Sequence, residues 1–337
     1  VQAPRKLAAL FAALLLAFSS AAQQPAQQED TRQRIRTTVA LVVVPVTVKS
    51  PAGVPVLDIR REEFRIFEDG VEQEIQLFSN EPFPLSAVVL IDNSLPIRTA
   101  EQVQKSARAI AAAFSEFDEV AIGTFDLFYE PVLDFTTDND RIYDHLKRLE
   151  LTGKFPGQGS APMTRPPRVD TSPPTGGVPA PGLRGGRLDK KLDDALFAAG
   201  QMLRTRSRDR RKIIFLISDG DNARNNTNTY EDTLRVLLSA DVSVYAIGVG
   251  GAVVNRPRNP LSRYANATGG DIFYATSLSD MESRYATVAE QARNQYTLAY
   301  SPSGTDRSRE FHSIEVRVRR ANLKLLAREG YFNPVAP

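Results

Sequence analysis

PLSAVVLIDNS, residues 84–94, is the stretch whose reading decides the fold. Its apolar run, Ala87-Val88-Val89-Leu90-Ile91, stops abruptly at Asp92-Asn93-Ser94. A run this short, β-branched and free of polar alternation reads as a strand buried on both faces. Strands of this kind build parallel α/β sheets, whose ligands bind outside the carboxyl ends of the strands. Asp92 and Ser94 are therefore the first candidate site residues. A second such run, KIIFLIS at 212–218, ends on Asp219 and is followed by Gly220-Asp221-Asn222. Two interior strands that each deliver a carboxylate at the same edge predict one shared acidic rim. Carboxylate and hydroxyl oxygens there suit a hard divalent cation such as Mg²⁺. The equally open alternative is that both aspartates only cap the loops and helices that follow.

Outward from this stretch, residues 84–294 alternate strand and helix, which predicts a doubly wound, mainly parallel sheet. Val103, Ala107, Ile110, Ala111 and Phe114 share one face of a helix expected over Thr99–Phe117. Strands are expected at Asp118–Phe125 and Val242–Gly248, and a short antiparallel edge strand at Tyr129–Phe135. Further helices are expected at Asp138–Glu150, Leu192–Arg204, Tyr230–Ala240 and Leu278–Gln291. Residues 152–186 interrupt the alternation with a Pro/Gly-rich insertion, expected to be disordered, with an ordered lid as the other reading.

The flanks read as β structure. Residues 37–80 carry TTVALVVVPVT, then EFRIFE, the hairpin signal Asp69-Gly70 and EIQLF. Residues 295–333 carry QYTLAY and the alternating FHSIEVRVR. Neither flank is comfortable alone, so the expectation is one small antiparallel β domain built from both, with the α/β unit inserted between them.

At the front, Arg5 and Lys6 precede an apolar stretch, Leu7 to Phe18, and the small residues Ser20-Ala21-Ala22. This is the pattern of a signal peptide over 1–22, followed by a polar, Gln-rich tether over 23–36. A membrane anchor is the other reading, against which the apolar stretch falls short of the ~20 residues a span needs. No later apolar run reaches spanning length. The expected location is outside the cytoplasm of a bacterium, periplasmic or extracellular, with no stable span in the mature chain.

Composition narrows the chemistry. The 337 residues contain no cysteine, which excludes disulfides, thiolate metal sites and a cysteine nucleophile. His145 and His312 are the only histidines, and each is expected to be structural. With 42 basic against 40 acidic residues, nothing points to nucleic acid as a partner. Ser94 has no histidine base nearby in sequence, and no glycine-rich phosphate loop follows the first strand. Asp138-Asn139-Asp140 reads as a helix start, and Arg204–Lys212 (RTRSRDRRK) as a solvated basic turn.

IDNS at 91–94, ISDGDN at 217–222 and the α/β order between them resemble the von Willebrand factor type A domain. The flanks VLDIRREEFRIFEDGVEQEIQLFS (56–79) and QYTLAY…FHSIEVRVRRANLKLLAREGYF (295–332) are similar to those of an exported bacterial branch of the family. The resemblance spans about residues 37–333. It implies a metal-ion-dependent adhesion site with an Asp-x-Ser-x-Ser loop, a Thr from a second loop and an Asp from a third. Asp92 and Ser94 match the first loop and Asp219 the third. Pro96 stands at the second serine. LDDAL at 192–196 sets the register of the second loop and puts Lys190 at the threonine, with Gly185-Gly186 as a displaced glycine pair.

Two of five expected ligands are thus replaced, one by a cation. The expectation is a degenerate site at Asp92, Ser94 and Asp219 that binds Mg²⁺ weakly or not at all, unless another oxygen such as Asp189 approaches. The expected function is non-enzymatic binding of a protein partner at this edge, in an adhesion-type module. The alternatives are a structural envelope scaffold with a vestigial site and, less favoured, a metal-dependent hydrolase.

Overall fold

The computed structural model describes residues 41–151, 190–256, 259–304, 306 and 308–333. The expected signal segment, the tether, the insertion 152–186, the Gly185-Gly186 pair and Asp189 lie outside the described residues.

The chain opens in a β frame: β1 (Val42–Lys49), β2 (Phe64–Glu68), β3 (Val71–Gln73) and β4 (Ile75–Ser79). The turn between β2 and β3 is the Asp-Gly pair, with φ 49° at Asp69 and 84° at Gly70, backbone that glycine adopts without strain. The α/β unit follows as β5 (Leu85–Asp92), α1 (Ile97–Lys105), α2 (Ala107–Ala112), β6 (Glu119–Phe125), β7 (Tyr129–Thr136) and α3 (Asn139–Arg148). It continues as α4 (Leu192–Arg204), β8 (Arg211–Ser218), α5 (Tyr230–Ser239), β9 (Val242–Gly248), α6 (Gly251–Val254), α7 (Pro260–Ala267), β10 (Ile272–Tyr274) and α8 (Leu278–Arg293). The frame resumes with β11 (Tyr296–Tyr300), β12 (Phe311–Val318), β13 (Lys324–Ala327) and β14 (Gly330–Phe332).

The central sheet runs β10-β9-β8-β5-β6-β7. All its pairs are parallel except β6 with β7, the antiparallel edge. Counted from β5, this is the doubly wound order 3-2-1-4-5-6, whose reversal point lies between β5 and β8. All eight residues of β5 and all eight of β8 are buried, because helices cover both faces. Val103, Ile110, Ile142 and Val288 pack on one face, and Leu196, Leu203, Leu237 and Leu261 on the other.

The helix expected over 99–117 is broken into α1 and α2 at Ser106. The buried Ser106 hydroxyl bonds the Val103 carbonyl at 2.7 Å and lies 2.9 Å from the Tyr285 hydroxyl. A serine that bonds back to its own helix competes with the regular ladder and bends it. The partner that draws it there is on α8, far away in sequence.

Both flanks contribute to each sheet of the frame. One sheet runs β13-β1-β11-β4 and the other β14-β12-β2-β3, all antiparallel. Val44, Val46, Phe64, Ile66, Tyr296 and Leu298 form the core between them. β1 and β11 also border the amino end of the central sheet, where Arg211 donates to the Gln295 carbonyl at 2.6 Å and to Thr297 Oγ1 at 3.0 Å.

Candidate functional site

The site begins with strand register. β5 and β8 are parallel neighbours with Ile91 opposite Ile217, so Asp92 and the Ser218-Asp219 pair leave the sheet at the same rim. Val88, Val89, Leu90 and Ile91 are each at most 1% exposed. At roughly 1.5–3 kcal/mol per buried large apolar side chain, this run is able to carry Asp92 into the dry rim behind it. Asp92 is 0% exposed. A carboxylate there needs donors. It has four: Ser94 N at 2.9 Å and Ser94 Oγ at 2.7 Å on Oδ1, with Ser218 Oγ at 2.9 Å and Lys190 Nζ at 3.1 Å on Oδ2.

Lys190 reaches the rim from the segment that leads into α4. It is 5% exposed, and its ammonium also donates to Asp219 Oδ2 at 2.6 Å. One ammonium therefore joins the loops after β5 and β8. Its backbone is held by the 219–229 loop, whose Ala223 N–H donates to the Lys190 carbonyl at 2.6 Å. Lys191 is the N-cap of α4 and supplies no side-chain cap. The loop supplies it instead, with Asn222 Oδ1 accepting from Leu192 N at 3.2 Å and Asn226 Oδ1 from Asp194 N at 3.3 Å. Asp194 accepts in return from Thr227 N at 2.9 Å and Asn228 N at 2.7 Å. Gly220 turns the loop with φ 77°, and a Cβ there would meet the Asn259 side chain at 2.1 Å. Asn259 uses that space to donate to the Asp219 carbonyl at 3.2 Å.

Burial opposes the charge on Lys190, but Asp92 and Asp219 overcome it and hold the ammonium above the ordinary lysine range. Burial and the negative charge of Asp92 push the Asp219 carboxyl up, against the pull of Lys190. With two carboxylates to one ammonium, Asp219 is the group whose ionisation this rim resists.

The residues present do not fit a divalent cation. An ion such as Mg²⁺ demands near-octahedral oxygens at ~2.0–2.1 Å. Asp92 accepts four bonds, which fills the roughly four lone-pair positions of a carboxylate. Pro96, the N-cap of α1, has no side-chain oxygen, and the gap between the carboxylates holds Lys190. Among the described residues, no group of three or more acidic or histidine side chains is arranged to hold a metal.

Asp92, Ser94, Lys190 and Asp219 thus meet at one point, with Pro96 on the adjoining loop. Other sequence candidates serve elsewhere. Asp138 caps α3, accepting from Asp140 N and Arg141 N. His145 lies half-buried on α3 with Nδ1 2.8 Å from the Arg141 carbonyl. His312 is buried in the frame beside Asp69 at 2.8 Å. The basic run 204–212, expected to be a solvated turn, is drawn inward in part. Arg206 forms a two-pronged pair with Glu119, Arg210 donates to the Phe117 carbonyl at 2.6 Å, and Arg211 and Lys212 are buried.

Sequence reasoning missed Ser218, Asn222 and Asn226. Ser218 was within reach, because it precedes Asp219 on a strand paired one residue away from Asp92. It also missed the apolar rim. The β6–β7 turn lies beside the site, with Asn93 N donating to the Phe125 carbonyl and Lys191 N to the Asp126 carbonyl, both at 2.8 Å. That turn exposes Leu127 by 42% and Phe128 by 69%, and α6, beyond the β9 loop that flanks Asp219, exposes Val254 by 81%.

No model of a protein family matches the chain, and no curated protein does. Solved structures do. The chain is similar to proximal thread matrix protein 1 from the mussel byssus, solved with a zinc-occupied MIDAS motif (13% identity, 63% of this chain and 49% of that one, TM-score 0.44). It therefore spans about half the length of that protein. It is similar to the conserved hypothetical protein BatB from Bacteroides thetaiotaomicron (12%, 62% and 98%, TM-score 0.43). It is also similar to a von Willebrand factor type A structure from Catenulispora acidiphila (9%, 87% and 74%, TM-score 0.44). Likenesses of this size carry no statement about function. The chain's own strand order and antiparallel edge make it a doubly wound α/β domain set in an antiparallel frame, the fold that the sequence resemblance to the von Willebrand factor type A domain implies.

Proposed function

We propose that the chain is a non-enzymatic, adhesion-type protein-binding module that acts outside the bacterial cytoplasm and takes its partner at the carboxyl rim of the central sheet. The observation that carries this reading is the pairing of a dry ionic centre with exposed Leu127, Phe128 and Val254 on the flanking segments. Exposed apolar anchors beside a desolvated centre are what protein interfaces use, and isolated surface apolar residues need no such explanation. Segments that follow β5, β8 and β9 add the exposed cations Arg98, Arg224 and Arg256. The partner surface that matches is apolar and edged with carboxylates. Ser94, whose hydroxyl donates to Asp92 at 2.7 Å, is only 5% exposed and so offers a substrate little access. The export reading rests on the residue pattern of 1–22. Among the described residues, no helix is long and apolar enough to cross a membrane.

Crosslinking capture with the full chain tests the proposal. Recovery of a partner should fall at least about tenfold in a Phe128→Asp/Val254→Asp variant, the loss expected when two anchors of ~1 kcal/mol or more go. It should be unchanged in Phe117→Asp, an equally exposed aromatic (67%) on the turn before β6, at the other end of the sheet. The reverse pattern would move the interface away from the rim. A scaffold that assembles through strand edges is the second reading. It is favoured by Val71 and Leu77, 42% and 45% exposed on the edge strands β3 and β4. Light scattering on the eluting protein separates the two, since a monomer at high concentration counts against assembly.

A further inference from the structure

We propose that Lys190 is the resident cation of the rim: it does the loop-joining work of a divalent ion, keeps such ions out, and hides a metal site that one substitution would uncover. Three observations carry this. Nζ stands 3.1 Å from Asp92 Oδ2 and 2.6 Å from Asp219 Oδ2, so it occupies the point where an ion shared by these carboxylates would sit. Its position is built in. The side chain is 6% exposed, its carbonyl is bonded by Ala223 N, and the α4 start behind it is stapled by Asn222 and Asn226. The ammonium cannot swing into solvent without unmaking both carboxylate bonds. Finally, three oxygen-bearing side chains already stand together here: Asp92 and Asp219 leave neighbouring strands at the same rim, and the Ser94 hydroxyl bonds Asp92. A hydroxyl in place of the ammonium removes the like charge and adds an oxygen. The inference does not depend on what binds the rim.

The test is calorimetry with Mg²⁺ and Mn²⁺ alone on the full chain, with manganese paramagnetic resonance as a second readout, for the wild type, Lys190→Ser and Lys190→Ser/Asp92→Asn. The wild type should give no saturable binding at millimolar metal. Lys190→Ser should bind Mn²⁺ at least about tenfold more tightly than wild type, as expected when a like charge within ~4–6 Å is withdrawn. The gain should vanish in the double variant. If Lys190→Ser is folded by circular dichroism yet gains nothing, the proposal fails. If it folds only when Mn²⁺ is added, the proposal stands. If the variant does not fold at all, the wild type decides: micromolar binding lost in Asp92→Asn overturns the proposal, and no binding in wild type upholds it.

Discussion

Two lysines of nearly equal burial hold the two ends of the central sheet, and they sit in opposite electrostatic surroundings. Lys190, 5% exposed at the carboxyl rim, faces two carboxylates. Lys49, 6% exposed at the seam with the β frame, bonds Asp271, which also accepts from Gln291 Nε2 at 3.2 Å. The Phe273 ring lies 4.9 Å from the Lys49 ammonium. Arg211, also in the seam, donates only to neutral groups, Gln295 and Thr297, and burial pushes its guanidinium down to about 10. The rim group is one negative charge in excess and the seam group one positive. A buried cation with one carboxylate and an aromatic face is a fastening between layers. A buried cation with two carboxylates from separate loops leaves a polarised spot at a surface, which is the arrangement a binding site needs.

The largest expected effect breaks the rim. Lys190→Met leaves two desolvated carboxylates facing each other, and losing one partner of a buried ionic group costs about 3–5 kcal/mol. Urea unfolding should show that loss as a lower midpoint at an unchanged slope. Asp271→Asn should cost less, about 1–3 kcal/mol, because the amide still accepts from Lys49 and the Phe273 ring remains. If the seam variant proves the more costly of the two, the contrast between fastening and binding site is lost.

The third expectation concerns pH. Asp219 titrates above its ordinary value of 3.8 in the folded chain. A group with a raised folded pKa contributes stability that is complete below its unfolded pKa and lost as pH rises through the folded one. Asp219→Asn mimics the protonated form at every pH. The stability of wild type minus that of Asp219→Asn should therefore fall as pH rises from about 4 toward neutrality. Lys190, also raised, contributes up to its ordinary 10.5 and loses that contribution only above it, so it adds no slope in this window. A difference that stays flat between pH 4 and 7 would mean the excess charge at the rim is relieved by solvent.

Most of the α/β unit was legible because its strands are apolar runs with punctuated ends, and the punctuation marks the candidate rim: Asp92 ends β5 and Asp219 directly follows β8. Lys190 was singled out only through the family resemblance, with LDDAL setting the register. The meeting of Lys190 with both carboxylates depends instead on the chain reversing between β5 and β8, a long-range fact. The break at Ser106 was hidden for the same reason, since Tyr285 lies on α8. The rim apolar residues were invisible in another way. Nothing in the sequence sets Leu127, Phe128 and Val254 apart from other apolar residues, and only the placement of the β6–β7 turn and α6 puts them in water. The basic run 204–212 misled in part because charge density suggests solvent, whereas Arg206, Arg210 and Arg211 have specific partners.

The smallest expected effect tests why the two lysines differ in precision of placement. Lys49 ends strand β1, opposite Lys324 of β13, and its position is set by that ladder. Lys190 precedes α4 and has no ladder, so the loop from β8 must place it. Asn222 is the economical point of attack: its Oδ1 accepts from Leu192 N at 3.2 Å and from Asn226 Nδ2 at 2.9 Å, and it bonds neither carboxylate in the described contacts. Asn222→Ala removes a helix-cap acceptor, which costs about 1 kcal/mol. If the loop is what holds the ammonium, the loss should not stop there. The slope of stability against pH assigned to Asp219 should steepen in Asn222→Ala, because a loosened Lys190 relieves the carboxylate less. An unchanged slope beside a 1 kcal/mol loss would leave Asn222 as a cap alone, and the placement of Lys190 would then rest on the Ala223–Lys190 backbone bond.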